Sequence, residues 1–143
     1  MDKFCKDTLE QANKLIFVRH YGKAEDLLTQ LRHSESGKAE LLIYLRAAEL
    51  AVKLGRIDQL HKHLLHDLQG RKEIYPLDVA LALVEQQGEL VAPPESVTRF
   101  QDLLRQYGPN AACYYGIGFA LEHQGNYERA LYNYQQAIAI DQD

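Results

Sequence analysis

The last 34 residues, Asn110 to Asp143 (NAACYYGIGFALEHQGNYERALYNYQQAIAIDQD), constrain the fold more than any other stretch. They read as a helix, a tight break at Gly125–Asn126, and a second helix. Small residues fall where two such helices would cross: Gly118 on the first, Ala130 and Ala137 on the second. Larger residues flank them, namely Tyr114, Ile117, Leu121, Tyr127 and Tyr134. Two helices this short cannot bury their apolar sides against each other alone, so the pair needs neighbours of the same kind.

The rest of the chain supplies them. Helical spacing of apolar residues predicts helix 1 over about Asp2 to Arg19 (Phe4, Leu9, Ala12, Leu15, Ile16) and helix 2 over about Gly22 to Arg32 (Ala24, Leu27, Leu28, Leu31). Helix 3 runs from about Lys38 to Leu54, rich in the helix formers Leu and Ala. Gly55 suits the left-handed residue past its end. Helix 4 enters at Ile57 with a stripe of Leu60, Leu64, Leu65 and Leu68. Gly70 closes it, and the loop Arg71–Glu73 follows. Helix 5 starts near Pro76, a good first-turn residue, and ends before Gly88. Helix 6 spans about Pro94 to Tyr107, with Val97, Phe100, Leu103 and Leu104 inward. Gly108–Pro109 is a strong break.

Gly55, Gly88 and Gly125 each end the first helix of a pair, at intervals of 33 and 37 residues. The equivalent place in the first pair is near Arg19. There HYGKAEDLL imitates GNYERALYN, with Tyr21 against Tyr127 and Ala24 against Ala130. Eight helices thus form four pairs, over about 2–36, 38–70, 74–107 and 110–143. This period and the small-residue spacing resemble the tetratricopeptide repeat, a helix–turn–helix unit of 34 residues. The resemblance is close in 110–143 and faint upstream. Leu60 stands where Ala130 does, and extra residues surround Val91–Pro94.

The resemblance implies an all-α, right-handed α-solenoid of about eight antiparallel helices in four pairs, forming one domain over 1–143. It also implies a non-catalytic protein-interaction module, adaptor or chaperone-like. A peptide or helix of a partner would dock in the concave groove lined by the first helices. The expected groove residues are Leu9, Asn13 and Phe17; Leu45, Glu49 and Val52; Tyr75, Asp78 and Glu85; and Tyr115, Phe119 and Glu122. Lys6, Ile16, Leu42, Lys53, Ala82, Ala112 and His123 fall on the same faces. One subclass of the family grips a C-terminal carboxylate with Lys, Arg and Asn across successive first helices. Here only Asn13 matches that set, so the chain departs from that subclass.

Composition narrows the remaining classes. A formal net charge of −4, with basic residues scattered among acidic ones, argues against a nucleic-acid partner. No apolar run is long enough to span a bilayer. The start, MDKFCKDTLEQ, lacks the apolar core of a secretory signal, which predicts a cytoplasmic protein. Cys5 and Cys113 form no CxxC pair, and Cys113 is expected to be buried. His61, His63 and His66 have no Cys or acidic partner at zinc-motif spacing. There is no GxSxG, HExxH or P-loop. The reading therefore carries no catalytic, metal or cofactor residue.

Six of nine tyrosines follow Gln106. Repeat packing accounts for Tyr114, Tyr127 and Tyr134, leaving Tyr115 and Tyr132 as interface candidates. The last helix is expected to expose Leu131, Ile138 and Ile140. The alternative function is therefore self-association, with Tyr132, Leu131 and Ile138 in a homodimer or scaffold contact.

Overall fold

A computed structural model describes residues 1–38, 40–69 and 75–140 of the 143. Among them are eight α-helices and no strand: α1 (Lys3–Phe17), α2 (Tyr21–Arg32), α3 (Leu41–Leu54), α4 (Ile57–Leu68), α5 (Leu77–Gln87), α6 (Pro93–Tyr107), α7 (Ala111–His123) and α8 (Tyr127–Ile140). Every helix expected from the sequence is present. Gly70, the loop Arg71–Glu73 and the last three residues lie outside the described range.

Local chemistry sets the boundaries. The carboxylate of Asp2 accepts the Cys5 amide at 2.8 Å, and the Asn110 amide oxygen accepts that of Cys113 at 2.9 Å. Each satisfies one of the donors left over at a helix start. Prolines 93 and 94 open α6, where a missing amide hydrogen does no harm.

The ends of α1, α3, α5 and α7 share one backbone motif. A left-handed residue follows each helix: Arg19 (φ 64°), Gly55 (φ 67°), Glu89 (φ 56°) and Gly125 (φ 79°). Its amide bonds the carbonyl three residues back, and the next amide bonds the carbonyl five back. These longer bonds are His20 to Leu15 (2.8 Å), Arg56 to Ala51 (2.8 Å), Leu90 to Glu85 (2.8 Å) and Asn126 to Leu121 (2.9 Å). This is the Schellman stop, which satisfies the orphan carbonyls of a helix end. The stops recur at intervals of 36, 34 and 36 residues.

Gly88 is therefore not the register residue of α5; Glu89 is. Gly88 has an ordinary φ of −84°, and a Cβ there would sit 2.6 Å from Ile57 Cγ1. Its glycine serves the close approach of α4 to α5, and the left-handed turn moves one residue on.

The core runs through the molecule in three clusters. Cys5, Leu9, Ala12, Ala24, Leu28, Leu31, Ile43 and Leu50 join α1, α2 and α3. Tyr44, Ala48, Leu60, Leu64, Ala80 and Val84 join α3, α4 and α5. Val79, Leu83, Phe100, Leu103, Cys113, Ile117, Leu121 and Ala130 join α5 to α8. Helix α5 (LDVALALVEQQ) is apolar on nearly every side and so must be enclosed. It packs against α3, α4, α6 and α7. Helix α8, by contrast, buries only Ala130.

The crossings depend on glycine at two points. A Cβ at Gly118 would lie 2.9 Å from the Tyr134 ring, where α7 meets α8. One at Gly116 would lie 2.5 Å from the Phe100 ring, where α6 meets α7. The first crossing is legible in the sequence; the second is not.

Three packing expectations need correction. Leu65 is 46% exposed, outside the α4 stripe of Leu60, Leu64 and Leu68. Phe4 is half-exposed, because Cys5 and Leu9 take the inward face of α1. Tyr127 is 69% exposed, so repeat packing does not account for it. Both cysteines are fully buried and free.

Candidate functional site

Helix α5 touches both α3 and α7, the helices that carry most of the expected groove residues left open. On α3, Leu45 and Glu49 are half-buried and Val52 is exposed. On α7, Tyr115 and Phe119 are half-buried and Glu122 and His123 are exposed. Glu85 of α5 lies instead against His61 of α4 and Arg99 of α6.

The α7 side is an aromatic ladder. The Tyr115 and Phe119 rings lie 6.2 Å apart, and those of Phe119 and His123 lie 4.3 Å apart. The spacing of four residues stacks these side chains along one helix face. Tyr134 of α8 joins from behind, 5.9 Å from Tyr115, and its hydroxyl donates to Glu122 Oε1 at 2.7 Å. Burial pushes the Tyr134 hydroxyl well above the usual phenol range, and the Glu122 carboxylate pushes the same way.

Glu49 accepts from Arg46 Nη1 at 2.7 Å. Burial also raises the Tyr115 hydroxyl; Glu49 adds to the shift and Arg46 opposes it. Those two α3 side chains therefore stand close enough to α7 for their charge to be felt there. Glu85 is held by Arg99 and lies 3.3 Å from His61 Nε2. It is paired, and half-buried. A cleft of about 520 Å³ opens beside Phe119 and His123, walled by Gln86, Leu90 and Pro93. Gln86 donates to the Gly116 carbonyl at 2.6 Å and ties α5 to α7 beneath it.

Other expected groove residues are elsewhere. Leu9 is only 6% exposed and packs among Cys5, Ala12, Ala24 and Leu28, so it belongs to the core. Asp78 is 3% exposed; it accepts the Tyr107 hydroxyl and the Val79 amide, joining the start of α5 to the end of α6. Ala82 is buried as well. Helical periodicity gives each of these a face, but not the neighbour that covers it. Asn13 and Phe17 are exposed on α1, which packs chiefly on α2 and does not carry them to the α3–α5–α7 surface. Tyr75 is half-exposed and stacks on Tyr107, with centroids 4.9 Å apart. Leu131, Tyr132 and Ile138 are exposed on α8; Leu131 and Ile138 share a face with Tyr127, while Tyr132 stands about 100° around the axis from Leu131.

Sequence reasoning missed Arg46 and Gln86 at this surface. The signal for Gln86 was a polar pair, Gln86–Gln87, closing an otherwise apolar helix. Arg46 carried no signal beyond its spacing of three from Glu49.

Among the described residues, no group of three or more His, Cys, Asp or Glu is placed to hold a metal ion. No helix of the described residues is long and apolar enough to cross a membrane.

Comparison with known proteins gives one family. The tetratricopeptide repeat model matches residues 111–143, which are α7, the Gly125 stop and α8. No curated protein matches the chain. A repeat of this family suggests a protein–protein interaction module. The assignment to the tetratricopeptide repeat family is thus clearest in that one segment, the stretch that carries the aromatic ladder and the exposed apolar residues of α8.

Proposed function

We propose that this chain is a non-catalytic adaptor whose helices form four antiparallel pairs in a right-handed solenoid. A peptide or helix of a partner protein docks across α3, α5 and α7. One observation supports this reading: Glu49 of α3 and Glu122 of α7 both act electrostatically on the half-buried Tyr115, whose ring neighbours Phe119 beside a cleft. Tyrosine and phenylalanine give contact area with little entropy to lose. Glu49 and Glu122 favour a ligand that carries basic residues beside its apolar anchors. Glu85, already paired with Arg99, adds less. The acidic balance of the chain disfavours nucleic acid, and we place the module in the cytoplasm.

The test is capture of partners from native extract by the intact chain and by Leu45→Glu and Phe119→Glu. Loss of the same bound protein in both variants, with circular dichroism unchanged, supports the groove. Undiminished binding rejects it.

A second reading rests on the exposed apolar residues of α8, where Leu131, Tyr132 and Ile138 are 58%, 60% and 66% exposed. Apolar residues gathered on one helix mark contact sites. Pairing of two copies through this helix predicts a dimer by sedimentation at micromolar concentration, dispersed by Leu131→Glu with Ile138→Glu. A chain that stays monomeric with α8 intact rejects it.

A further inference from the structure

On a different face, α2, α3 and α4 enclose a cleft of about 360 Å³ that shares no residue with the proposed groove. Arg32, the last residue of α2, lines it. Only 6% of Arg32 is exposed, and its Nε and Nη1 meet no acceptor among the described residues. This is unusual, because a buried cation is normally paired and buried donors are normally satisfied.

The acceptors around it are engaged or turned away. The Tyr44 hydroxyl donates to the Lys38 carbonyl at 2.9 Å. Glu25 is held by Arg56. Asp67 points its Oδ1 to within 3.9 Å of His66 Nδ1 and makes no hydrogen bond to Arg32. Burial lowers the Arg32 ionisation from its usual value, while Tyr44 and Asp67 favour the charged form. The α2 C-terminus favours it too, since a helix end is partly negative. Arg32 is thus a buried guanidinium that feels the charge of Asp67 but whose Nε and Nη1 have no hydrogen-bond acceptor among the described residues.

The cleft selects among anions. Leu28, Leu50 and Leu60 give it apolar walls, and Glu25, Asp26 and Asp67 stand among its lining residues. Those carboxylates repel a multiply charged anion more than a singly charged one. A planar carboxylate also matches a guanidinium edge, which donates two parallel hydrogen bonds to it.

We propose that this cleft is a binding site for a monocarboxylate on a short apolar stem, with Arg32 as its anchor and Leu28, Leu50 and Leu60 against the stem. Nε and Nη1 are themselves covered, so the guanidinium turns toward the ligand as it binds. Asp67 tunes the site by repulsion. The carboxylate comes either from a small acid or from an acidic side chain of a polypeptide.

The experiment is a titration of the intact chain, followed by the NMR signal of the Arg32 Nε–H at constant ionic strength. The probes are propionate, the blocked peptide acetyl-Ala-Glu-Ala-amide, and inorganic phosphate. Propionate or the peptide should shift the signal saturably in the millimolar range. Whichever of the two binds tighter identifies the source, and either supports the site. Arg32→Lys keeps the charge but loses the fork, and should bind about tenfold more weakly. Asp67→Asn, on the cleft rim, should bind severalfold more tightly. The proposal is overturned by a shift that does not saturate with either carboxylate, or by phosphate binding tighter than both. It is also overturned if Arg32→Lys binds as well as wild type, or if Asp67→Asn weakens binding. The wild-type titrations decide the matter even if Arg32→Lys fails to fold.

Discussion

Four residues hold a left-handed backbone at the ends of α1, α3, α5 and α7, and only two of them are glycine. A side chain in that conformation is disfavoured by about 1 kcal/mol. Gly55→Ala and Gly125→Ala should therefore each destabilise by about 1 kcal/mol in urea unfolding. No atom crowds a Cβ at either site, so the whole effect is conformational. Glu89→Gly should work the other way and raise the unfolding midpoint. Gly88→Ala should destabilise for a different reason, contact with Ile57. The sequence showed where the helices stop, including the end of α5 before Gly88, but not that the left-handed residue there is Glu89. The physical cause is that Gly88 was already committed to packing. Arg32 was hidden more deeply. A basic residue in the last turn of a helix ordinarily serves the helix dipole and faces water, and nothing in HSESG or the α2 pattern signals its burial.

Burial also sets an alkaline limit. Burial raises the Cys113 thiol to about 11, although the Asn110 cap opposes the shift. The unfolded chain loses this proton first, so the thiol's contribution is whole below pH 9 and fades as pH climbs toward 11. It amounts to roughly 3 kcal/mol at most. Tyr44, raised by burial, acts with the same sign above its ordinary value. Stability measured by urea unfolding should fall steadily from pH 9 to 11. At pH 8 a thiol reagent should find neither cysteine until the chain unfolds, since both are covered.

Among the elements, α7 depends most on residues without side chains. It meets α6 through Gly116 against Phe100, and α8 through Gly118 against Tyr134. Phe100 is fully buried, so Phe100→Ala should cost about 3–5 kcal/mol. Gly116→Ala should cost roughly 1–3 kcal/mol by overpacking the same contact. The double variant should recover part of the loss, because the added methyl enters the space left by the ring; simple additivity would contradict the assigned crossing. Gly118 was legible because repeat spacing sets it against the small residues of α8, and Ala130 is its neighbour there. Gly116 was not, because its partner is an aromatic on a helix outside the recognised repeat. The exposure of the expected groove residues divides the same way: Tyr115 and Phe119 are partly open, whereas Leu9 and Asp78 are buried. Their covering partners, α2 for one and Tyr107 for the other, cannot be read from the periodicity of their own helices.

For the whole molecule, the enclosed helix α5 is the keystone. It touches α3, α4, α6 and α7, and nearly all its residues are buried. An alanine inserted in its middle turns every later side chain by about 100° around the axis. Val84 and Gln86 would leave their partners, and the chain should lose cooperative unfolding. The same insertion in the turn at Ser34–Ser36, between α2 and α3, should be tolerated with little change in midpoint, since turns absorb extra residues more readily than helices. Calorimetry of the two variants separates these outcomes.

The four stops make the same point in another currency, that of information. Each is written in backbone hydrogen bonds, and arginine, glycine, glutamate and glycine all spell it. What the chain preserves from one stop to the next is a count of residues, 36, 34 and 36, rather than a string of letters. A molecule punctuated this way can change most of its alphabet and stay in register, while gaining or losing a few residues inside a helix would throw it out of step. Outside residues 111–143, such a chain is read better by its intervals than by its letters.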